Sequence, residues 1–216
     1  MTGVQTCALP ILNLTVAAPL LLTLHPSTGI QTVRELIALA KRPAAVLTYA
    51  SSGTGGVAHM AGALMNVLVG IDLVHVPYKG AGPATSDLIA GQVAMTFTST
   101  VSVMQYVKAG RLRGIAVTTP KRAPTLPDIP AIAETVAGYD VSPWYGVLVP
   151  AGTPPAIVNK LHAEISRVVA VPDIAKRFAG DGGSVVSRGP DEFANIIAAE
   201  RAKWARVVKA AGIKGE

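Results

Sequence analysis

Short apolar runs alternate with segments of helical periodicity along most of the chain. Residues 32–41 repeat apolar side chains at the spacing of one helical face, and Thr32 followed by Glu35 is typical of a capping box. Residues 46–50 form a compact apolar run, which predicts a buried strand. The alternation continues with strands predicted at 72–77, 93–97 and 112–118 and helices predicted at 57–69, 83–91 and 101–109. This pattern indicates an α/β fold in which crossover helices join parallel strands.

The start of the chain does not fit the alternation. Residues 1–11, MTGVQTCALPI, are unrelated in pattern to the rest of the chain, and we interpret them as a non-native leader. Residues 11–24 are apolar, but the run is shorter than the roughly 20 residues that a membrane-spanning helix needs. Since no Lys or Arg precedes Arg34, the run also lacks the basic start of a signal peptide, and two short strands are predicted instead. We therefore expect a fragment that lacks its native N-terminus.

The second half of the chain continues the α/β pattern after a break. Residues 119–130 are rich in proline and are predicted to be a connector. Further strands are predicted at 147–150 and 183–187, and further helices at 155–169, 172–179 and 191–211. We assign residues 12–47 and 119–216 to a first, partial domain and residues 48–118 to a second.

Composition excludes several classes of site. The formal charge is +6, but the basic residues are dispersed and are not interleaved with aromatic residues, so a nucleic-acid partner is not predicted. A positive potential would favour the approach of anionic ligands. Cys7 is the single cysteine, which excludes an internal disulfide, and the four histidines lack metal-ligand spacing. We predict no metal site and no cofactor.

Three loops follow predicted strands and carry the candidate chemistry. Ligands of open α/β sheets bind beyond the carboxyl ends of the strands. The first loop opens a helix, whose free N–H groups and partial positive charge suit an anion, and its glycines let the backbone come close. The candidate ligand-binding residues are Ser51, Ser52, Gly53, Thr54, Gly55, Gly56 and His59 at the first loop, Tyr78, Lys79 and Gly80 at the second, and Thr98 and Ser99 at the third. The alternatives are an ordinary tight turn at 51–56, an interior histidine at 59 and a solvated lysine at 79.

The same loops lack the motifs of common enzyme classes. Gly53 and Gly55 are not followed by a third glycine at dinucleotide spacing, and the same is true of Gly80 and Gly82. The sequence contains no phosphate-loop Lys-Ser/Thr pair and no G-x-S-x-G elbow. Because the loops offer hydrogen-bond donors without a nucleophile–base pair, we predict a binding protein and not an enzyme.

Several stretches resemble the tripartite tricarboxylate transporter substrate-binding family, also called the Bug receptors. The matching stretches are VRELIALAK (33–41), LTYASSGTGG (47–56) with His59, DLVHVPYKGAGPA (72–84), AGQVAMTF (90–97), KAGRLRGIAVTTPKRAPTLPDIP (108–130), SPWYGVLVPAGTP (142–154) and KWARVVKAAGIK (203–214). The resemblance implies a type II periplasmic-binding-protein fold, with two α/β domains and parallel-rich sheets around a cleft, the first domain being incomplete. It also implies that the 51–56 loop grips a carboxylate beside the 78–80 loop.

The function implied by the resemblance is that of a periplasmic solute-binding protein whose signal peptide is absent from this fragment. Such a protein captures a small organic carboxylate for the membrane components of a tripartite tricarboxylate transporter, and we expect a monomer. The family often has Asp-Asn where this chain has Thr98 and Ser99. Loss of that acid favours a di- or tricarboxylate or an aromatic carboxylate over an amino acid. The alternatives are a nucleotide- or phosphate-binding α/β enzyme domain and a structural or sensory module.

Overall fold

A computed structural model describes residues 11–180 and 182–214. Nearly all of the predicted leader lies outside the described residues. The chain divides into two compact units. Unit 1 contains the residues up to Ala18 together with Trp144–Ala202, and unit 2 contains Pro19–Pro143 together with the residues from Lys203 onward.

Strands and helices alternate along the described residues. The strands are β1 (Ile11–Ala17), β2 (Leu20–Leu24), β3 (Leu47–Ser51), β4 (Leu73–Pro77), β5 (Met95–Ser99), β6 (Arg113–Val117), β7 (Trp144–Leu148) and β8 (Ser184–Arg188). The helices are α1 (Val33–Ala40), α2 (Val57–Val69), α3 (Ala81–Ile89), α4 (Thr100–Lys108), α5 (Pro155–Val169), α6 (Pro172–Gly180) and α7 (Pro190–Ala210). The two short strands predicted at 11–24 are present as β1 and β2. Within the described residues no helix combines the length and the apolarity that crossing a bilayer requires.

Unit 2 is built on a mixed sheet with the strand order β4-β3-β5-β2-β6. β3 runs parallel to β4 and β5, whose connections contain the crossover helices α2 and α3. β2 runs antiparallel to both of its neighbours, β5 and β6. The carboxyl ends of β3, β4, β5 and β6 therefore lie at one edge of the sheet.

The core of unit 2 covers both faces of this sheet. Because successive residues of a strand point to opposite faces, Leu22 and Tyr49 enter one buried cluster, whereas Leu21 and Ala50 enter another. Helix α2 packs into the first cluster, and its residues from His59 to Met65 are all buried. Val57 at the start of the helix is exposed, so the buried middle of α2 fixes where its N-terminus lies at the sheet edge.

Unit 1 has a smaller sheet, β7-β1-β8, in which both pairs are antiparallel. The parallel-rich character expected from the sequence is thus not found in this sheet. β7 and β8, which helices α5 and α6 join, do run in the same direction, but β1 lies between them. β2 separates β5 from β6 in the same way in the larger sheet.

The compact units differ from the predicted domains of residues 12–47 with 119–216 and residues 48–118. β2 pairs within the unit 2 sheet, which moves the N-terminal boundary back to Pro19. The proline-rich connector returns to the same sheet: Val117 N–H donates to Pro130 at 2.9 Å, and Val141 N–H donates to Thr118 at 2.9 Å. Hydrogen bonds to β6 and to Thr118, which directly follows it, thus connect these residues to unit 2.

Candidate ligand-binding site

The candidate site lies at the sheet edge where the strand order of unit 2 changes direction. From β3 the chain continues to β4 on one side, and from β5 it continues toward β6 on the other. The gap between β3 and β5 is therefore a topological switch point, the place where open α/β sheets bind ligands. The predicted loop begins at Ser51, the last residue of β3, and Thr98 and Ser99 end β5.

The 51–56 loop presents half of its residues to solvent. Ser52, Thr54 and Gly55 are exposed. Gly53 and Gly55 adopt φ angles of +145° and +76°, which side chains rarely tolerate, so the loop needs glycine at both positions. Gly56 caps α2 without a side chain, and the first amides of the helix therefore face the loop. The amides of Gly53, Gly55 and Gly56 are hydrogen-bonded within the protein, so the accessible donors are the hydroxyls of Ser52 and Thr54 and the first amides of α2.

Ser51 differs from the rest of the loop because its side chain is only 1% exposed. Its Oγ accepts a hydrogen bond from Gly53 N–H at 3.1 Å and lies 3.0 Å from the carbonyl oxygen of Gly53. The same Oγ lies 2.6 Å from Nε2 of His75. Ser51 therefore shapes the turn from inside the protein.

His59 lies in the interior beneath the loop, with 8% of its surface exposed. Its Nδ1 accepts a hydrogen bond from Gly55 N–H at 3.0 Å. Its ring stacks on His75, with centroids 3.8 Å apart and planes inclined by 4°. His59 is therefore an interior histidine, as one of the two predictions for it stated. Its ring also holds the 51–56 loop through the bond from Gly55.

The two imidazoles are kept neutral by their surroundings. Burial lowers the pKa of His59. Burial and the neighbouring His59 lower the pKa of His75 to about 4. At neutral pH the predicted site residues thus contain one full cation, Lys79, whose side chain is exposed. An anion at the loop would be held chiefly by backbone and hydroxyl donors.

The 78–80 loop is tied directly to the 51–56 loop. Tyr78 N–H donates to the carbonyl of Ser51 at 3.0 Å, and Gly80 N–H donates to the carbonyl of Ser52 at 3.2 Å. The Tyr78 hydroxyl donates to Asp87 at 2.7 Å. Burial and this carboxylate raise the pKa of the phenol. The phenol proton is therefore used within the protein, and the structure adds Asp87 to the surroundings of the site.

The end of β5 brings Thr98 and Ser99 to the same edge. Thr98 is half-buried, whereas Ser99 is exposed and precedes α4. Ala50 of β3 pairs with Thr96 of β5 in parallel register. Counting two residues further along each strand places Ser52 beside Thr98. All three predicted loops therefore meet around the switch point. Among the described residues, no cluster of His, Cys, Asp and Glu could hold a metal ion.

Comparison with known protein families identifies the family to which this chain belongs. A model of the family described as tripartite tricarboxylate transporter family receptor matches residues 6–213. The chain belongs to this receptor family. The predicted membership of the Bug receptors is thereby confirmed.

Two curated relatives show how much of a longer protein this chain matches. Protein BugT of Bordetella pertussis is 32% identical over 199 residues, and a UPF0065 protein from the tcbD-tcbE intergenic region of Pseudomonas sp. (strain P51) is 34% identical over 192 residues. These matches cover 91% and 88% of this chain but only 60% and 57% of the two relatives. The chain thus spans well under two thirds of their length.

Solved structures of similar proteins confirm the fold class. Rpa4515 of R. palustris with adipate is 32% identical with a TM-score of 0.82, over 95% of this chain and 69% of that one. The periplasmic binding protein BugD is 29% identical with a TM-score of 0.82, over 97% and 71%. MatC from Rhodopseudomonas palustris with bound malate is 28% identical with a TM-score of 0.78, over 93% and 69%. The α/β periplasmic-binding-protein fold predicted from the receptor family's motifs is therefore correct.

Sequence reasoning missed His75 and Asp87. A sequence signal for His75 exists, because it interrupts the apolar β4 run LVHVP, yet its role depends on pairing with β3, where it lies level with Tyr49. Asp87 lies on α3, and nothing local distinguishes it from a surface acid.

Proposed function

We propose that this chain is the ligand-binding part of an extracytoplasmic receptor that captures a small dicarboxylate for a tripartite tricarboxylate transporter. The observation that carries the proposal is the exposed, glycine-rich start of α2 at the switch point of the unit 2 sheet. Rpa4515 with adipate and MatC with malate support the choice of ligand class.

The chemistry of the loop favours a carboxylate. A helix N-terminus carries about half a positive charge and presents unpaired N–H groups, so it binds anions without a dedicated cation. Ser52 and Thr54 add exposed hydroxyls, and Lys79 adds a positive charge at the neighbouring loop. Ser51, His59 and the Tyr78 phenol act in this proposal by holding the loop, since Ser51 Oγ, His59 Nδ1 and the Tyr78 hydroxyl are bonded within the protein.

The same residues argue against an amino-acid ligand. An ammonium group requires an acidic partner, and none of the predicted site residues is acidic. Asp87, near the second loop, already accepts the Tyr78 hydroxyl. A second carboxylate on the ligand is compatible with Thr98, Ser99 and Lys79, so a dicarboxylate fits better than an amino acid.

The setting of this function follows from the family. We propose a periplasmic location, association with the membrane components of a tripartite tricarboxylate transporter and a monomeric receptor. Binding without turnover is the expected behaviour. Size-exclusion chromatography with light scattering would test the monomer, and a dimer would contradict it.

Isothermal titration calorimetry of the chain tests the ligand class. The panel comprises adipate, malate, citrate, benzoate, glutamate, inorganic phosphate and ATP at pH 7.5. We expect saturable binding of at least one dicarboxylate and at least tenfold weaker binding of glutamate. Binding of ATP or phosphate with no response to any carboxylate would replace this proposal with the nucleotide- or phosphate-binding alternative. Absence of binding to every compound in the panel would also contradict the proposal.

A further inference from the structure

Two stacked imidazoles hold the 51–56 loop from beneath through one contact each. His59 accepts the Gly55 N–H at Nδ1, 3.0 Å away, and His75 reaches Ser51 Oγ with Nε2 at 2.6 Å. The rings lie face to face, with centroids 3.8 Å apart. The pair thus connects the two ends of the turn to each other.

The hydrogen bonds dictate where the protons are. Because Gly55 N–H donates to Nδ1 of His59, that nitrogen must keep its lone pair, and the neutral ring carries its proton on Nε2. Ser51 Oγ accepts from Gly53 N–H and is positioned to donate to the Gly53 carbonyl. With that hydroxyl proton committed, His75 donates from Nε2 to Ser51 Oγ. The Gly55 bond therefore makes His59 a neutral Nε2–H tautomer, and the Ser51 contact favours a proton on Nε2 of His75.

We propose that His59 and His75 are positioning residues whose neutral forms set the conformation of the 51–56 loop, so that anion capture by this loop is lost in acid. The inference rests on the proposed function. Protonation of His59 at Nδ1 would set an N–H against the Gly55 N–H, and protonation of both rings would place two like charges in a stack. Either event displaces the loop from the conformation that presents its donors.

Simple electrostatics predicts the opposite pH dependence. Two added positive charges beneath an anion site should tighten binding as pH falls. The geometry decides against this for His59, because its ring becomes charged only after the hydrogen bond from Gly55 to Nδ1 is broken. A charge on His75 lies against the stacked His59 ring and opposes a second charge there. The sign of the pH effect therefore separates a positioning role from a direct electrostatic one.

Few other groups can perturb the pair. On α2 His59 is the only ionisable side chain, β4 contributes only His75, and β5 contributes none. Tyr49 on β3 faces both rings, and its hydroxyl donates to the carbonyl of His59 at 3.1 Å. Asp87 on α3 is bonded to Tyr78. The lowered pKa values of both histidines agree with a pair held neutral.

Nitrogen-15 NMR of the imidazoles tests the inference independently of any ligand. We expect His59 Nδ1 to be unprotonated at pH 7.5. The Gly55 amide should exchange at least tenfold faster in His59→Leu than in His59→Asn, whose side-chain oxygen can replace the Nδ1 acceptor. A protonated Nδ1 at pH 7.5, or equal Gly55 exchange in the two variants, would overturn the inference even where carboxylates bind.

Calorimetry with adipate between pH 7.5 and 3.5, a range that extends below the His75 pKa of about 4, completes the test. Protonation of adipate itself weakens binding equally in all variants, so the comparison between variants isolates the histidines. We expect wild type to lose at least fivefold more affinity in acid than His59→Asn, and His75→Gln to have a flatter profile than wild type. Parallel profiles would refute the pH claim. Absence of adipate binding at every pH, with the NMR result as expected, would instead count against the proposed function.

Discussion

The ring of Tyr49 occupies the space that a side chain at Gly62 would fill. A Cβ at position 62 would lie 2.9 Å or less from three carbons of that ring. The Tyr49 hydroxyl meanwhile donates to the carbonyl of His59, one turn earlier on α2. Tyr49 therefore brings the start of α2 against β3, which is the relationship that points the helix N-terminus at the switch point.

Replacing Gly62 by alanine should destabilise unit 2. Alanine is the better helix former by about 1 kcal/mol, but overpacking a closed core costs about 1–3 kcal/mol, and the buried ring has no free direction in which to move. We expect a net loss of free energy of unfolding, measured by urea denaturation followed by circular dichroism. Gly82→Ala is the matched control, since a Cβ there meets nothing within 4 Å. A variant at 62 as stable as the one at 82 would contradict this packing.

Gly55 and Gly70 flank the two ends of α2 and have similar backbone strain. Substituting each one separates the effect of that strain from the effect on ligand binding. Gly55 and Gly70 have φ angles of +76° and +63°, and a Cβ at either position meets nothing within 4 Å. Alanine at each should therefore cost a similar amount, about 1–2 kcal/mol. Only Gly55 lies in the proposed site. We expect Gly55→Ala to weaken adipate binding at least tenfold in calorimetry and Gly70→Ala to leave it within twofold. Equal effects would show that the loop is not the ligand contact.

The elements of unit 2 could be predicted because their signals are local. The helix predicted at 57–69 is α2 with the same bounds, and the strand predicted at 112–118 is β6, Arg113–Val117. The order of the strands is a through-space property. Nothing in residues 11–24 indicates that β1 enters one sheet and β2 the other, and this division accounts for the antiparallel pairs and for the boundary at Pro19.

The candidate site shows the same division between local and spatial information. Glycines that follow a strand and open a helix are recognisable in the sequence, so the exposed loop could be found. The direction in which Ser51 points, and the stacking of His59 on His75, depend on the register between β3 and β4. Sequence reasoning therefore identified the exposed loop and missed part of the scaffold that holds it.

An ion pair between Arg122 and Glu134 links two parts of the segment between β6 and β7. Arg122 donates from Nε and Nη2 to the Glu134 carboxylate at 2.8 and 2.9 Å and from Nη1 to the carbonyl of Pro127 at 3.0 Å. Glu134 also accepts Ala131 N–H at 2.9 Å. Because the pair is exposed, Arg122→Met should barely shift the melting temperature. We expect faster hydrogen exchange at the Ala131 amide, with Lys121→Met as the control that removes a neighbouring charge. Unchanged exchange at Ala131 would show that the pair does not order the connector.

Folding stability should fall between about pH 6.5 and pH 4 because of His75. Its pKa is lowered from 6.5 to about 4 in the folded chain, so within this window the unfolded chain binds the proton and the folded chain does not. The contribution is therefore complete above pH 6.5 and is lost as the pH falls. Each unit of pKa shift is worth about 1.4 kcal/mol, and partial solvent access reduces the total to on the order of 2 kcal/mol.

Urea denaturation of wild type and His75→Gln at several pH values would measure this contribution of His75 to the free energy of unfolding. The variant should have the flatter profile, and equal slopes for the two proteins would rule out His75 as the source.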